Sequence, residues 1–185
     1  MAMTAEPLFV WCDLEMTGLE PEKCAIIEMG IIITGPDLKP KAELERAIWQ
    51  PDSVLNQMEP FVRDMHTKNG LLERVRKSDC SLRTAEKEAT ALVSQYCEFG
   101  EGILAGNSIH TDRSFIAKHM PGFDRFLHYR MIDVSSLKIL TRGWYPNAPG
   151  RSKVDAAHTV LADLGASIGE LAYYQHMFFK KPADI

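Results

Sequence analysis

Apolar residues follow two different spacings along the chain, and these spacings divide it into predicted strands and helices. Short apolar runs bounded by turn residues predict strands over residues 8–13, 25–34, 42–50, 103–106 and 131–134. Helical spacing predicts helices over residues 60–66, 71–77, 84–99, 112–120, 135–142 and 160–179, with Ser135 capping the fifth. Short connections between the first three strands favour an antiparallel meander. The whole pattern predicts an α/β fold, a mixed central sheet flanked by helices.

The first predicted strand carries two acids where a plain core strand would carry none. Asp13 and Glu15 are two residues apart, so both carboxylates leave the same face while Leu14 points into packing. Adjacent carboxylates repel each other, and at neutral pH they need a cation between them or a raised pKa. The pattern therefore indicates a metal site with oxygen ligands. The alternative is the solvated edge of a surface strand.

Length and composition are those of an ordinary globular protein. With 185 residues, 45% hydrophobic and 25% charged, we expect one domain over residues 1–185. No apolar run is long enough to cross a bilayer, and the N-terminus lacks a signal-peptide pattern. The four cysteines form no CxxC pair and are predicted to be reduced, packed thiols: Cys12, Cys24, Cys80 and Cys97. We expect a cytoplasmic location, or the mitochondrial matrix if the source is eukaryotic.

The charge distribution favours a small anionic ligand over a long nucleic acid. The net charge of −4 argues against a protein that grips a long duplex by its phosphates. Between residues 113 and 153, however, eight Lys and Arg residues stand against two acids. This segment is locally basic within an acidic chain.

Two further acids and one histidine complete the candidate chemistry. Asp112 opens a predicted helix, where the macrodipole favours an acid and a capping role is the common one. Asp163 lies beside the apolar stripe of the last helix, with no Lys or Arg three or four residues away. His158 would point about 140° away from Asp163 on a continuous helix, so the two can share a site only if His158 precedes the helix.

Four segments, read together, resemble a known family. DLEMTGL, GNSIHTDRSF, HYRMIDVSSLK and HTVLADLGASIGELAYY are similar to the oligoribonuclease family. That family belongs to the DEDD exonuclease superfamily, in the histidine variant with a His-x4-Asp motif. The resemblance runs from about residue 8 to residue 179, and it implies a ribonuclease H-like exonuclease fold. It also implies His158 as the catalytic residue and four metal ligands: Asp13, Glu15, Asp112 and Asp163.

The resemblance implies a two-metal phosphodiesterase. Two Mg²⁺ or Mn²⁺ ions per active site, roughly 3.5–4 Å apart, would activate the attacking water and stabilise the leaving oxygen. His158 would take the proton of that water, since an unperturbed histidine titrates near pH 6.5, roughly the pH of the reaction. The direction of attack, from the 3′ end with release of 5′-monophosphates, comes from the resemblance and not from the residue chemistry.

The resemblance further implies very short RNA as the substrate, dinucleotides especially, and a homodimer as the active form. A chain without a basic track or an accessory domain suits such a substrate better than a long strand. Arg130 and Ser135 also make a reasonable phosphate site by their own chemistry. The implied contacts are bases on Leu19 and Phe61, His66 lining the site, the 5′ phosphate on Ser108, Arg130 and Ser135, and Tyr129 from the partner subunit.

Two positions depart from the family pattern, and two other functions stay open. Position 61 is Phe where Trp is familiar, so base stacking is expected to persist with less area. Ala162 stands where a second Asp is common, while the His-x4-Asp spacing is intact. The alternative enzyme is a histidine-type DEDD exonuclease acting on single-stranded DNA, as in proofreading. The non-enzymatic alternative is a binding module that keeps the pocket without turnover.

Overall fold

Among residues 6–149 and 159–180, which the computed structural model describes, five strands form one mixed sheet in the order β3-β2-β1-β4-β5. The strands are β1 (Phe9–Met16), β2 (Ile26–Thr34), β3 (Pro40–Ala47), β4 (Ile103–Gly106) and β5 (Met131–Asp133). The first three pair antiparallel, which confirms the predicted meander. Strand β4 lies parallel to β1, and β5 lies parallel to β4.

The helices cover both faces of this sheet. They are α1 (Asp52–Leu55), α2 (Pro60–Lys68), α3 (Leu71–Lys77), α4 (Leu82–Val93), α5 (His110–His119), α6 (Pro121–Phe126), α7 (Val134–Trp144) and α8 (Val160–Phe178). The sequence pattern missed the short α1 and α6. Helix α4 ends at Val93 and not at residue 99, because the Ser94 hydroxyl donates to the carbonyl of Ala91 and competes with the helical ladder.

The predicted cap of α7 was wrong. The capping residue is Asp133, whose carboxylate accepts a hydrogen bond from the backbone N–H of Ser135 at 2.9 Å. Strand β5 ends at the same Asp133, so the chain passes directly from strand into helix. Ser135 therefore lies inside the first turn of α7, and its hydroxyl is available for other partners.

Strand β1 separates the two halves of the core. Val10, Cys12 and Leu14 pack on the side of α4, α5 and α6. Trp11 packs on the opposite side, together with α8. Alternation places Asp13 and Glu15 on the same face as Trp11, as the sequence predicted.

A glycine in β2 lets α8 lie close to the sheet. Gly30 pairs with Asp13 across the β1–β2 ladder. A Cβ atom built on Gly30 would lie 2.9 Å from Cβ and Cγ2 of Val160 and 3.2 Å from a methyl group of Leu164. These distances are shorter than normal packing allows, so the first turn of α8 can reach β1 and β2 only over a residue without a side chain.

The functional edge of the sheet follows from its topology. Strands β1, β4 and β5 run parallel, so their carboxyl ends meet at one edge, where ligands of open α/β sheets bind. The pairing of β1 with β4 stops at Trp11. Beyond it, the backbone N–H of Leu14 donates to Oδ1 of Asp112, at 3.0 Å, which draws α5 against the end of β1.

Two further expectations concern cysteines and membranes. All four cysteines are unbridged, as predicted. In the part of the chain that the structure describes, no helix combines the length and apolar character needed to span a bilayer.

Replacing Gly30 should damage both stability and activity. We expect Gly30→Ala to lower the free energy of unfolding by about 1–3 kcal/mol, because the added methyl group overpacks against Val160. It should also reduce turnover, since α8 carries Asp163. Chemical denaturation and an activity assay measure the two effects.

Gly165→Ala is the matched control. Gly165 lies on the exposed side of α8, and no described atom outside the helix backbone lies within 4 Å of a Cβ built there. This variant should be as stable as the parent or more stable, by up to about 1 kcal/mol. Equal stability of the two variants would contradict the close approach at Gly30.

Candidate active site

Three of the predicted ligands meet at one point. Asp13 and Glu15 from β1 and Asp163 from α8 each offer one carboxylate oxygen, and these oxygens all lie within 4.8 Å of one another. Two of the residues share a strand face, and the third is delivered by the helix that packs over Gly30. The structure therefore brings together acids separated by about 150 positions in the sequence.

The fourth acid, Asp112, lies beside the other three. It sits in the first turn of α5 and is buried, with 7% of its surface exposed. Its Oδ1 accepts a hydrogen bond from the backbone N–H of Leu14, the residue between Asp13 and Glu15. Asp112 is near enough to contribute to the raised pKa of both Asp13 and Glu15.

Burial and mutual repulsion dominate the electrostatics of this cluster. Burial, followed by repulsion from Asp112, Glu15 and Asp163, raises the pKa of Asp13 from 3.8 to about 8. Burial and repulsion from Glu28, Asp163 and Asp112 raise the pKa of Glu15 from 4.5 to about 7. Burial raises the pKa of Asp112 to about 6, although the hydrogen bond from Leu14 opposes the shift.

The sequence analysis missed a fifth acid behind the cluster. Glu28 is only 1% exposed and lies opposite Glu15 in the β1–β2 ladder. Arg74 binds it and also contacts Glu45 at 3.2 Å. In the sequence, Glu28 stands within the β-branched run of β2, and only the register between β1 and β2 shows that it faces Glu15. Arg74 therefore offsets the charge of Glu28, and it also opposes the rise in the pKa of Glu15.

Of the two histidines predicted to belong to the site, His66 is among the described residues and His158 is not. His66 is fully buried, its Nε2 lies 3.1 Å from the carbonyl oxygen of Met16, and it approaches Glu15 Oε2 at 3.9 Å. Burial lowers its pKa, so it is neutral near pH 7. His66 therefore lies behind Glu15, and its contact with a substrate stays a prediction. His158 lies outside the described residues, and α8 begins two residues after it, at Val160.

The two residues predicted to contact bases are exposed near this cluster. Leu19 follows the end of β1 and has 78% of its surface exposed. Phe61 is in the first turn of α2 and is 80% exposed. Helix α2 is tied to the end of β1 by the contact between His66 and Met16. Single exposed apolar residues are common, so their role in base stacking stays a prediction.

The residues predicted to bind phosphate divide into two groups. Ser108 follows β4 and Ser135 begins α7, and their hydroxyl oxygens lie 3.3 Å apart. Arg130 precedes β5, whereas Ser135 follows it. The guanidinium group of Arg130 lies 4.9 Å from the centre of the Tyr129 ring. Tyr129 is 71% exposed. The structure therefore places the two serines together at the carboxyl edge and the Tyr129–Arg130 pair at the other end of β5.

The donor set can hold hard divalent cations. It consists of carboxylate oxygens, the ligands that Mg²⁺ and Mn²⁺ prefer. Burial and mutual repulsion raise the pKa values of Asp13 and Glu15, so a cation bound among these oxygens would be strongly favoured. The residues that would bind the ions are Asp13, Glu15, Asp112 and Asp163.

Comparison with known proteins places this geometry in a family. The exonuclease family model RNase_T matches residues 10–171. The mitochondrial oligoribonuclease of Mus musculus is 46% identical over 180 residues, which is 95% of this chain and 75% of that protein. The oligoribonuclease of Paracidovorax citrulli is 42% identical over 168 residues, 90% of this chain and 87% of that protein.

Solved structures show the same fold at much lower identity. An exonuclease I from Methylocaldum szegediense superposes with a TM-score of 0.67 at 15% identity, and the match covers 93% of this chain. The zinc-bound E. coli exonuclease I complex with single-stranded DNA gives 0.70 at 12% identity. The chain spans 41% of the length of each. These matches confirm the ribonuclease H-like fold that the sequence motifs predicted.

The cluster predicts an unusual dependence of stability on pH. Folded Asp13 and Glu15 keep protons that the unfolded chain has released, because their pKa values rise from 3.8 to about 8 and from 4.5 to about 7. With divalent ions removed, their contribution to the free energy of unfolding is therefore lost as the pH rises from about 4 to about 8. We expect the melting temperature in EDTA to fall between pH 5 and pH 8 because of this cluster.

Two comparisons isolate that effect. The double variant Asp13→Asn/Glu15→Gln should show a flatter profile, while titrating groups elsewhere act alike in both proteins. Mg²⁺ or Mn²⁺ should stabilise the parent more at pH 8 than at pH 5, and at about 100 times the Kd measured at pH 8 the stabilisation should be about 2.7 kcal/mol. Parallel pH profiles for parent and variant would rule out the electrostatic description of the cluster.

Proposed function

The chain belongs to the oligoribonuclease family of exonucleases, and from that premise we propose that it is a 3′-to-5′ exoribonuclease that degrades very short oligoribonucleotides, dinucleotides especially, to 5′-mononucleotides. The observation that carries the proposal is the meeting of Asp13, Glu15 and Asp163 within 4.8 Å. A carboxylate cluster of this kind is the ligand set of two-metal phosphodiester hydrolysis.

The reaction uses the cluster and one histidine. Asp13, Glu15, Asp112 and Asp163 would hold two Mg²⁺ or Mn²⁺ ions per active site. When bound, such ions polarise the phosphodiester, lower the pKa of the attacking water and stabilise the leaving oxygen. The carboxylates that serve as ligands are poor bases, so His158 accepts the proton of the attacking water. This division of roles rests on the family motif.

Substrate length is limited by what lies around the cluster. Leu19 and Phe61 contact the bases, and Ser108, Arg130 and Ser135 bind the 5′ phosphate. A site closed by 5′-phosphate contacts accepts one or a few nucleotides and excludes a long strand. The serine pair at the carboxyl edge of the sheet supports this arrangement, as does the exposure of Leu19 and Phe61.

The proposed working form is a homodimer of single-domain subunits of residues 1–185. Helix α7 exposes three large apolar residues, which suits a subunit interface: Ile139, Leu140 and Trp144. Tyr129, which is also exposed, would reach the partner's site. The proposed location is the cytoplasm, or the mitochondrial matrix if the source is eukaryotic, as in the Mus musculus relative named mitochondrial.

A proofreading-type exonuclease on single-stranded DNA is not favoured. The relatives at 42% and 46% identity are named oligoribonuclease. The DNA-complexed exonuclease I chain is 12% identical and supports the fold alone.

The direct test compares substrates and removes a ligand. Purified protein with Mg²⁺ or Mn²⁺ should hydrolyse a 5′-phosphorylated diribonucleotide much faster than long RNA or long single-stranded DNA, and EDTA should stop it. Asp163→Asn should lower kcat by about 100-fold or more, since even residues that only orient metal ligands cost 10–100-fold. Chromatography of the mononucleotide product measures both effects.

Asp37→Asn is the matched control. Asp37 is an exposed turn residue between β2 and β3, so its replacement should leave turnover unchanged. Preferential digestion of long DNA would favour the alternative enzyme. Full activity of Asp163→Asn would mean that the cluster is not the site of hydrolysis.

Base stacking can be tested separately from chemistry. We expect Phe61→Ala to raise KM for the diribonucleotide roughly tenfold, because a stacked base contributes about 1–3 kcal/mol. Phe61→Trp should lower KM by enlarging the stacking area. Phe99→Ala is the control, since Phe99 is 69% exposed but packs against Phe126. An unchanged KM in Phe61→Ala would remove Phe61 from the substrate site.

A further inference from the structure

A buried polar network lies beneath the serine pair and is not explained by the carboxylate cluster. Its centre is Asn107, the residue between β4 and Ser108. The amide nitrogen of Asn107 donates to Ser167 Oγ at 2.9 Å and to Glu170 Oε2 at 3.2 Å. Its amide oxygen accepts a hydrogen bond from the Ser135 hydroxyl at 3.1 Å. Asn107 therefore connects α8 to the start of α7.

Glu170 anchors this network from α8. It is 7% exposed, and its Oε1 accepts from the Tyr174 hydroxyl at 2.8 Å and lies 2.9 Å from Lys138 Nζ. Burial alone would raise its pKa, but the hydrogen bonds from Lys138, Tyr174 and Asn107 lower it below the ordinary value. Glu170 is therefore a charged carboxylate that can only accept hydrogen bonds.

The direction of every hydrogen bond in the network follows from that charge. Because Glu170 only accepts, the amide nitrogen of Asn107 must face it, and the amide oxygen must face Ser135. The single proton of the Ser135 hydroxyl is then directed to Asn107. Toward Ser108, Ser135 presents only lone pairs, and these accept the backbone N–H of Ser108 at 3.0 Å.

The same arrangement holds Ser108 in an uncommon conformation. Its φ of 51° lies in the left-handed region, which costs a non-glycine residue of order 1 kcal/mol. Its N–H is held by Asp133 Oδ1 and by Ser135 Oγ, both at 3.0 Å. With Ser135 unable to donate toward it, the Ser108 hydroxyl can donate only to Ser135 or to a ligand.

We infer that Asn107 and Glu170 are positioning residues that keep the Ser108 hydroxyl available as a donor to a ligand, and that this contributes to the enzyme's selectivity for a 5′-phosphorylated dinucleotide. The inference rests on the proposed function and deepens it. An anionic phosphate needs a donor, and because the Ser135 proton is taken up by Asn107, the Ser108 hydroxyl keeps a proton that it can donate to a phosphate while Ser135 holds Ser108 in place. Neither Asn107 nor Glu170 contacts the substrate.

The readout is a ratio of two substrates. We would measure kcat/KM for a 5′-phosphorylated diribonucleotide and for the same dinucleotide with a 5′-hydroxyl. Both substrates use the same carboxylate cluster, so the ratio is independent of the fraction of protein that is folded and of any loss of metal. Displacement of α8 as a whole would lower both values and leave the ratio unchanged.

Loss and then reversal of the central hydrogen bond give the decisive pair of variants. Asn107→Asp removes the amide donor to Glu170 and sets two carboxylates against each other, which should displace the acceptor of Ser135 and lower the ratio about tenfold, the cost of one charge-assisted hydrogen bond. The double variant Asn107→Asp/Glu170→Gln places an amide donor at position 170 and keeps an acceptor for Ser135. It should restore the ratio to within about threefold of the parent. Glu73→Gln is the control, since it removes an exposed partner of Lys77 and should leave the ratio unchanged.

Each result decides something. An unchanged ratio in Asn107→Asp would overturn the inference, as would a double variant at least as impaired as the single one. A parent enzyme that hydrolyses both dinucleotides equally well would overturn the inference and leave the proposed function standing. A parent that hydrolyses neither would refute the proposed function, and the inference with it.

Discussion

Repulsion among buried carboxylates is the constraint to which the rest of this structure responds. One carboxylate oxygen each of Asp13, Glu15 and Asp163 lies within 4.8 Å of the others, and burial together with repulsion raises the pKa of Asp13 to about 8. The packing of α5 and α8 against the sheet must offset the unfavourable free energy of this repulsion. Helix α8 fits against the sheet over Gly30, and α5 is held by the hydrogen bond between Asp112 and Leu14. The scaffold is stable enough to keep an arrangement whose repulsion is relieved by protonation or by divalent cations.

Helix α8 links the two halves of the site. Asp163, Ser167, Glu170 and Tyr174 recur at helical spacing and form a polar stripe beside the apolar one. The first belongs to the carboxylate cluster, and the others belong to the network beneath Ser108. Seven residues of helix separate Asp163 from Glu170 by about 10 Å. One rigid element thus sets the distance between the carboxylate cluster and the network beneath Ser108.

Much of the fold could be predicted because it depends on local spacing. All five strands were found, and the antiparallel meander followed from short connections. Apart from the short α1 and α6, which were missed, the errors occurred where a side chain competes with the backbone. Ser94 ends α4 early, and Asp133 takes the capping role that Ser135 was expected to have. The four acids were recognised by motif, whereas Glu28 was missed because nothing in a β-branched run shows which residue it will face.

The sequence by itself determined the residue types and their alternation. It placed Asp13 and Glu15 on one strand face because strand geometry has a period of two, and that requires no tertiary information. Only the tertiary structure decided that Asp163 would join them, since that depends on α8 packing over Gly30, far away in the sequence. It likewise decided the hydrogen-bond directions around Ser108, because they follow from the burial of Glu170 beside Lys138. Contacts between distant segments depend on packing and charge, and no local pattern records them.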